Sequence, residues 1–419
     1  MSNYIQTKAQ NKEDLKQLSF LFDKIFAPEK VGQLANTLTR YFPNLNYNNW
    51  YISKTNIDDE IVSGFVKIPW TWLFNGIELK VAELGIAGTE ETHRGKGLFK
   101  HNHQLFNDDL LENSYDLAVI QGIPGIYHRL GYYYALPMEH HTELPLTSLP
   151  SNCNSKIRSA NENDIDFLLE EDKYYHRKHA ISAVRTKDHW HYILDKGQTT
   201  DYATKIYILE DETDKYYVRI LEAGFGQGLI VSEASDNCSS DQLNELLAFL
   251  NQEAVHLKKP YIRLNLPNSH SLVKKAMLHG ATTRPSYGWQ IKIIDIKSLI
   301  NKLKPVFDQR IKYSEFAGLN ATITLDFYQS QVHLALINGK LNVVDEEAKH
   351  TDYHMSIPED LLPLIILGHR SWQELQFVRP DLFPADQFLR MDAHHPSELT
   401  GELMSVLFPK LDNWIYCEY

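Results

Sequence analysis

The stretch Leu79-Lys80-Val81-Ala82-Glu83-Leu84-Gly85-Ile86-Ala87-Gly88-Thr89, with Thr92-His93-Arg94-Gly95-Lys96-Gly97-Leu98-Phe99-Lys100 just beyond it, decides how this chain is read. Leu79 and Val81 alternate as on a half-buried strand, and Leu84 and Ile86 then take up the opposite phase. A slip of one in a period-two pattern marks a β-bulge, and bulges re-aim backbone groups beside sites. After the glycines, Leu98, Phe99, Leu105, Phe106 and Leu110 keep one helical face apolar. Gly95 and Gly97 therefore fall where a strand hands over to a helix N-terminus. Unpaired N–H groups and the positive end of the helix dipole at such a point hold phosphate. Further on, Leu117-Ala118-Val119-Ile120 reads as a short buried strand ended by Gly122, Pro124 and Gly125, with a short aromatic helix up to Tyr132.

Working outward, the region from Asn11 to Phe42 reads as helices, since Leu15, Leu18, Leu21, Phe22 and Ile25 fall at helical spacing. Trp50-Tyr51-Ile52 and Ile61 to Trp70 read as strands, and Asn75-Gly76 is a hairpin turn leading into the central strand. Two helices, antiparallel strands, loop and helix, strand and short helix suit an α+β acyltransferase fold. At 419 residues the chain exceeds one ordinary core. Hydrophobic and charged contents of 43% and 23% are those of a soluble globular protein. No apolar run is long enough to span a bilayer, Met1 to Lys30 lacks a secretory pattern, and Cys153, Cys238 and Cys417 are scattered without metal spacing. A reducing cytoplasm is the expected home. The net charge of −12 argues against a nucleic-acid partner and is compatible with a cationic amine substrate, although solubility alone explains it equally well.

Pro, Ser and Asn accumulate between Pro145 and Asn154, which predicts a boundary. Beyond it, Asn11-Lys-Glu-Asp14-Leu15-x-x-Leu18 recurs as Asn161-Glu-Asn-Asp164-Ile165-x-x-Leu168. Helices to about Leu194, strands at 205–209 and 215–221, a helix near 241–256 and a strand at 261–266 follow in the same order as before. The counterpart of the phosphate loop, Ser232 to Ser240, has neither the arginine nor the glycines, so its backbone cannot approach a pyrophosphate closely. The second unit is accordingly expected to be a silent copy. From about Ile296 the texture changes: strands at 321–327, 332–337 and 340–344, an Asn338-Gly339 turn, and helices at 361–367 and 396–407 predict a small α+β domain.

Arg94-x-x-Gly97 after a strand resembles the acyl-coenzyme A pyrophosphate loop of GNAT-superfamily N-acetyltransferases. The sixth position of that pattern is usually Gly or Ala, and here it is Phe99. That departure, with Thr92-His93-Arg94 in front, is similar to the branch named for enhanced intracellular survival, the Eis family. Gly125-Ile126-Tyr127-His128-Arg129-Leu130-Gly131-Tyr132 and Arg185-Thr-Lys-Asp-His-Trp190 resemble further segments of it. The resemblance implies tandem GNAT-like acyltransferase domains, 1–148 active and 149–295 degenerate, followed by a sterol-carrier-protein-like α+β domain over 296–419. It also implies acetyl-coenzyme A as cosubstrate, polyamine acceptors such as aminoglycosides or else lysine side chains, and a homo-oligomer, a hexamer.

For the cofactor, N–H groups from Gly95 through Lys96, Gly97, Leu98, Phe99 and Lys100 would hold the pyrophosphate, with charge from Arg94 and Lys96. Ala87, Gly88 and Thr89 would pair with the pantetheine amides like an added strand, and Gly122 and Ile123 resemble a further cofactor contact. Tyr127 is the candidate general acid, because attack of an amine on a thioester leaves a thiolate that must be protonated; a plain core aromatic is the alternative. The resemblance gives the base as the carboxylate of the terminal aromatic residue, here Tyr419, with Glu418 beside it in the acceptor site. A free α-carboxylate titrates near 3.3–3.7 and an alkyl ammonium near 10, so direct proton removal needs shifted values or a relay water; a docked tail without chemistry is the other reading. Phe22 and Phe26 either line the acceptor site, as the resemblance implies, or pack the core. His176, His179, His189 and His191 follow no metal-ligand spacing, and no metal is expected. A narrower protein lysine or N-terminal acetyltransferase, and a non-enzymatic protein binding coenzyme A or an apolar ligand, are the competing functions.

Overall fold

The computed structural model describes residues 3–212, 214–222, 224, 226–345, 351–382 and 397–416. The chain opens with β1 (Tyr4–Lys8), α1 (Lys12–Phe26) and α2 (Val31–Tyr41). Strands β2 (Trp50–Thr55), β3 (Ile61–Phe74) and β4 (Ile77–Thr89) form an antiparallel meander, turned between the last two by Asn75 and Gly76 at positive φ. Helix α3 (Leu98–Glu112) carries the chain back so that β5 (Leu117–Ile120) runs parallel to β4, and β6 (Tyr133–Pro145) follows a 3-10 turn at Tyr127–Leu130. The order then repeats: β7 (Lys156–Ser159), α4 (Ile165–Lys178), β8 (Ile181–Ala183), α5 (Lys187–His191), β9 (Thr204–Glu210), β10 (Lys215–Leu221) and β11 (Leu229–Ala234). Helix α6 (Ser240–His256), β12 (Tyr261–Leu264) parallel to β11, α7 (Ser271–Leu278) and β13 (Thr282–Ile293) complete the second half.

The repeated octapeptide turns out to be a repeated helix start. Asn11 accepts from the N–H groups of Glu13 and Asp14 at 2.9 and 3.1 Å, and Asp14 accepts from Gln10 N–H at 2.8 Å. Asn161 accepts from Asn163 N–H at 3.0 Å, and Asp164 accepts from Asn161 N–H at 2.9 Å. A short side-chain oxygen before the first turn, answered by an acid three residues on, satisfies N–H groups that the helix leaves unpaired.

The two halves are fused through exchanged strands. The sheet has thirteen strands in the order β1-β2-β3-β4-β5-β13-β6-β12-β11-β10-β9-β7, with β8 paired to β3. Strand β13, the last of the second half, lies between β5 and β6, while β6 extends along β12. Each half is therefore closed by the other's final strand, and neither sheet is whole without its partner. A mixed α/β fold with one large sheet is the result.

The remaining elements, α8 (Ile296–Lys312), β14 (Ala321–Asp326), β15 (Gln331–Ile337), β16 (Lys340–Val344), β17 (Tyr353–Ser356), α9 (Leu362–Ile366), α10 (Trp372–Val378) and α11 (Ser397–Leu407), form a four-stranded sheet with helices against it. Strand β17 pairs parallel with β14 and, with α8 and α10, was not marked by the sequence pattern. Among the described residues, no helix is long and apolar enough to cross a membrane.

Candidate active site

At the centre of the first half, β4 and β5 pair through Val81↔Leu117, Ala82↔Ala118 and Glu83↔Val119 and then part. Just past that point β4 carries a bulge, beyond the phase slip of its apolar pattern, since the register runs unbroken from Ile77 through Gly85. Val66 faces Gly85 and Gly64 faces Gly88, so Ile86 and Ala87 oppose Phe65 alone. Ile86 sits at φ +45°, an uncommon conformation for a β-branched residue and one that clusters at functional sites. From Leu84 onward the side of β4 that faced β5 has no strand partner among the described residues, leaving an edge that an extended chain can join.

Beyond β4, Glu90 caps a short turn. Its carboxylate accepts from Thr92 N–H at 2.9 Å, from the Thr92 hydroxyl and from Lys24 at 2.9 Å, and these bonds pull it down to about 2. The Arg94 Nε donates to the Thr89 carbonyl at 3.3 Å, which holds the exposed guanidinium close to the bulged strand. Gly95 and Gly97 adopt φ of +76° and +75°, and Gly97 is the N-cap of α3 without a capping side chain. The first helical bond is His101 N–H to the Gly97 carbonyl at 3.1 Å, so the N–H groups of Leu98, Phe99 and Lys100 face outward. Arg94, Lys96 and Lys100 are exposed around them. Here is a fifteen-residue helix whose N-terminus is bare, ringed by cations and set beside an unpaired strand edge.

Across the gap, Tyr127 opens its 3-10 turn with its ring laid on Gly122. A Cβ built on Gly122 would lie 2.4 Å from Tyr127 Cε2, so only glycine permits the approach. Phe99 and Tyr132 pack edge-on against the same ring at 6.1 and 6.2 Å. No hydrogen-bond partner of the Tyr127 hydroxyl exists among the described residues, and burial pushes the phenol above its usual range. The Gly122 carbonyl accepts from the Tyr287 hydroxyl and from the Gln290 amide at 2.8 Å, both carried in by β13. The exchanged strand thus anchors the floor of the site, a dependence no local pattern could reveal.

Glu83, which the sequence reading passed over, stands at the point where the strands part. It is 2% exposed, accepts from Trp70 Nε1 at 2.9 Å and from Gln121 Nε2 at 3.2 Å, and burial raises it to about 7. A signal was present: Glu83 falls in phase with buried Leu79 and Val81, where a core residue belongs.

Residues 6–135 match the family described as acetyltransferase (GNAT) domain. The chain carries a GNAT acetyltransferase domain. Such a domain takes its acyl group from coenzyme A, and the protein is an acyl-coenzyme A-dependent acetyltransferase. Comparison with the curated proteins gives no match. Among solved structures, the chain is similar to a GCN5-related N-acetyltransferase from Anabaena variabilis, at 14% identity and TM-score 0.69, over 98% of this chain and 99% of that one. A probable N-acyltransferase of unknown function from Enterococcus faecalis aligns over 100% of both chains at 15% identity and TM-score 0.70. Eis1 from Mycobacterium abscessus aligns over 99% of this chain and 100% of its own at 12% identity and TM-score 0.62. At these identities the likeness is one of fold.

Other expected site residues of the GNAT domain fare differently. Phe22 is wholly buried, packed on Trp50 at 5.6 Å and under Gly88, and Phe26 beside it is half-buried. Ile123 stands 66% exposed at the mouth. The described tail runs beside β8, where Trp414 N–H donates to the Ile181 carbonyl at 3.2 Å. Trp414 stacks on His140 at 5.1 Å and Tyr416 on Tyr175 at 4.5 Å. Cys417, Glu418 and Tyr419 lie outside the described residues. The four histidines serve separate partners, His176 bonding Ser182 at 2.8 Å and His189 capping Thr186 in α5.

The corresponding gap in the second half is filled from within. Past Val231↔Leu264, the Ala234 carbonyl is 3.0 Å from His270 Nε2, and Asp236 accepts from Ser271 N–H at 2.7 Å. Ser239 caps α6 reciprocally with Gln242, its hydroxyl accepting from Gln242 N–H at 3.2 Å and the Gln242 side chain from Ser239 N–H at 2.9 Å, whereas α3 has no such cap. Arg185 is buried between Glu233, at 2.8 Å, and Asp172, and its Arg185–Trp190 segment serves this network.

One expectation follows for the loop itself. Arg94→Ala should weaken coenzyme A binding roughly 10-fold, the worth of one charge-assisted contact, and leave kcat within about 2-fold. Titration calorimetry and saturation kinetics measure the two separately.

Proposed function

We propose that the protein transfers acetyl from acetyl-coenzyme A to a primary amine, with residues 1–148 active, 149–295 silent and 296–419 a sterol-carrier-like appendage. One observation carries this reading: a bare helix N-terminus and an unpaired, bulged strand edge converge on a gap flanked by the free phenol of Tyr127 and the buried Glu83. N–H groups at 95–100 hold the pyrophosphate, and the edge from Leu84 to Thr89 orients the pantetheine arm. A neutral amine attacks the thioester carbonyl; the C–S bond breaks, Tyr127 protonates the departing thiolate, and the amine's proton leaves to a carboxylate. Glu83 is that carboxylate in the account supported by its burial and position. The Tyr419 carboxylate is the counterpart suggested by the Eis resemblance, as are polyamine acceptors and a hexamer.

The test is thiol release from acetyl-coenzyme A across a panel of polyamines, aminoglycosides, lysine peptides and N-terminal peptides. Free thiol should appear only with both donor and amine present, and the amine should gain one acetyl mass per turnover. Tight donor binding with no acetylated amine in the whole panel would overturn the proposal.

A further inference from the structure

The sulfur that Tyr127 protonates also carries the acyl group, so the acyl chain must lie beside that ring. On the α3 side of the gap the space is taken by aromatic side chains. Phe65 packs on Tyr51 at 5.4 Å, on Phe106 at 5.6 Å and on Phe99 at 5.5 Å, and Phe99 reaches Tyr127 at 6.1 Å. Ala87, from the bulge, packs on the same cluster, and Leu84 and Ile120 close it from β4 and β5. Tyr51, Phe65, Phe106 and Tyr132 are fully buried core residues. Phe99 differs: it is the second residue of α3, only half-buried, with its ring between the sheet and the acid. The opposite side of the gap holds Glu83 under Trp70 and is the side left for the amine.

We infer that Phe99 sets the length of the acyl group, so that donors of two or three carbons are accepted and longer chains are excluded. Close-packed rings do not yield a channel without displacing one of them, and Phe99 is the ring whose removal opens space at the gap without emptying the core. The inference rests on the transfer reaction proposed above and names its donor class.

Titration calorimetry of coenzyme A, acetyl-, butyryl- and hexanoyl-coenzyme A tests it on the wild type, Phe99→Ala and Phe99→Leu. Wild type should bind butyryl-coenzyme A roughly 10-fold or more weaker than acetyl-coenzyme A, and hexanoyl weaker still. Phe99→Ala should bring the butyryl and acetyl affinities, each taken relative to coenzyme A in the same protein, within about 3-fold of each other, with Phe99→Leu between. If Phe99→Ala fails to bind coenzyme A, the Leu variant decides by the same ratio. Equal binding of hexanoyl- and acetyl-coenzyme A by wild type, or a ratio unmoved in a variant that still binds coenzyme A, overturns the inference. No amine enters these titrations, so a failure to acetylate amines would sink the proposed reaction and leave this ladder standing.

Discussion

Tyr127→Phe is expected to lower kcat roughly 10²- to 10⁴-fold while leaving the affinity for acetyl-coenzyme A within about 2-fold. The phenol makes no hydrogen bond within the described residues, so its loss removes a proton donor and no structural contact. Gly122→Ala should reproduce the loss by another route. Its Cβ would fall 2.4 and 2.5 Å from the Tyr127 ring, closer than carbon atoms approach, and the ring must swing away. Packing alone aims Tyr127, through Gly122, Phe99 and Tyr132, and no bond brings it back. Stopped-flow thiol release on both variants checks the pair. Full turnover in Tyr127→Phe would remove the phenol from the chemistry, whatever Gly122→Ala does.

Glu83→Gln is expected to cost roughly 10²-fold or more and to abolish the acidic limb of the pH–rate profile. Burial raises the carboxyl from 4.5 to about 7, against the smaller opposing pull of the Trp70 and Gln121 hydrogen bonds. Below that value Glu83 is protonated and cannot accept a proton, so wild-type kcat/KM should rise with pH through about 7. The sign for stability is the reverse. A carboxyl raised in the folded state contributes fully below its unfolded value, and that contribution is lost as pH climbs through about 7. Chemical denaturation at pH 5 and pH 8 should therefore show the variant gaining on wild type at the higher pH. A Gln variant that keeps the acidic limb would direct attention to another base, and residues appended after Tyr419 would test the terminal carboxylate.

Local physics was legible in the sequence where it was local. The apolar pattern of β4 pointed to a bulge, but the bulge falls at Ile86 and Ala87 and not between Val81 and Leu84, where two buried faces alternate in unbroken register. Gly95 and Gly97 marked the helix entry because few other residues take positive φ there. Asn11 and Asn161, visible in the sequence as a repeat, prove to be side-chain caps at two helix starts. What stayed hidden was non-local. Nothing in Tyr133–Pro145 or Thr282–Ile293 says that each strand leaves its own half, since pairing between strands so distant in sequence has no periodic signature. The roles of Tyr287 and Gln290 under Gly122 follow from that exchange and were hidden with it. Phe22 had two readings because an aromatic at helical spacing looks the same whether it faces a ligand or Trp50.

Calorimetric titration of acetyl-coenzyme A into wild type and Gly97→Val is the most direct trial of the account. A β-branched residue cannot readily hold φ +75°, so the bare N–H groups of α3 would turn aside while the sheet stays intact. One site per chain in the wild type, weakened roughly 30-fold or more in a variant with unchanged circular dichroism, is the predicted result. Two sites per chain, or an affinity that Gly97→Val leaves untouched, would contradict it.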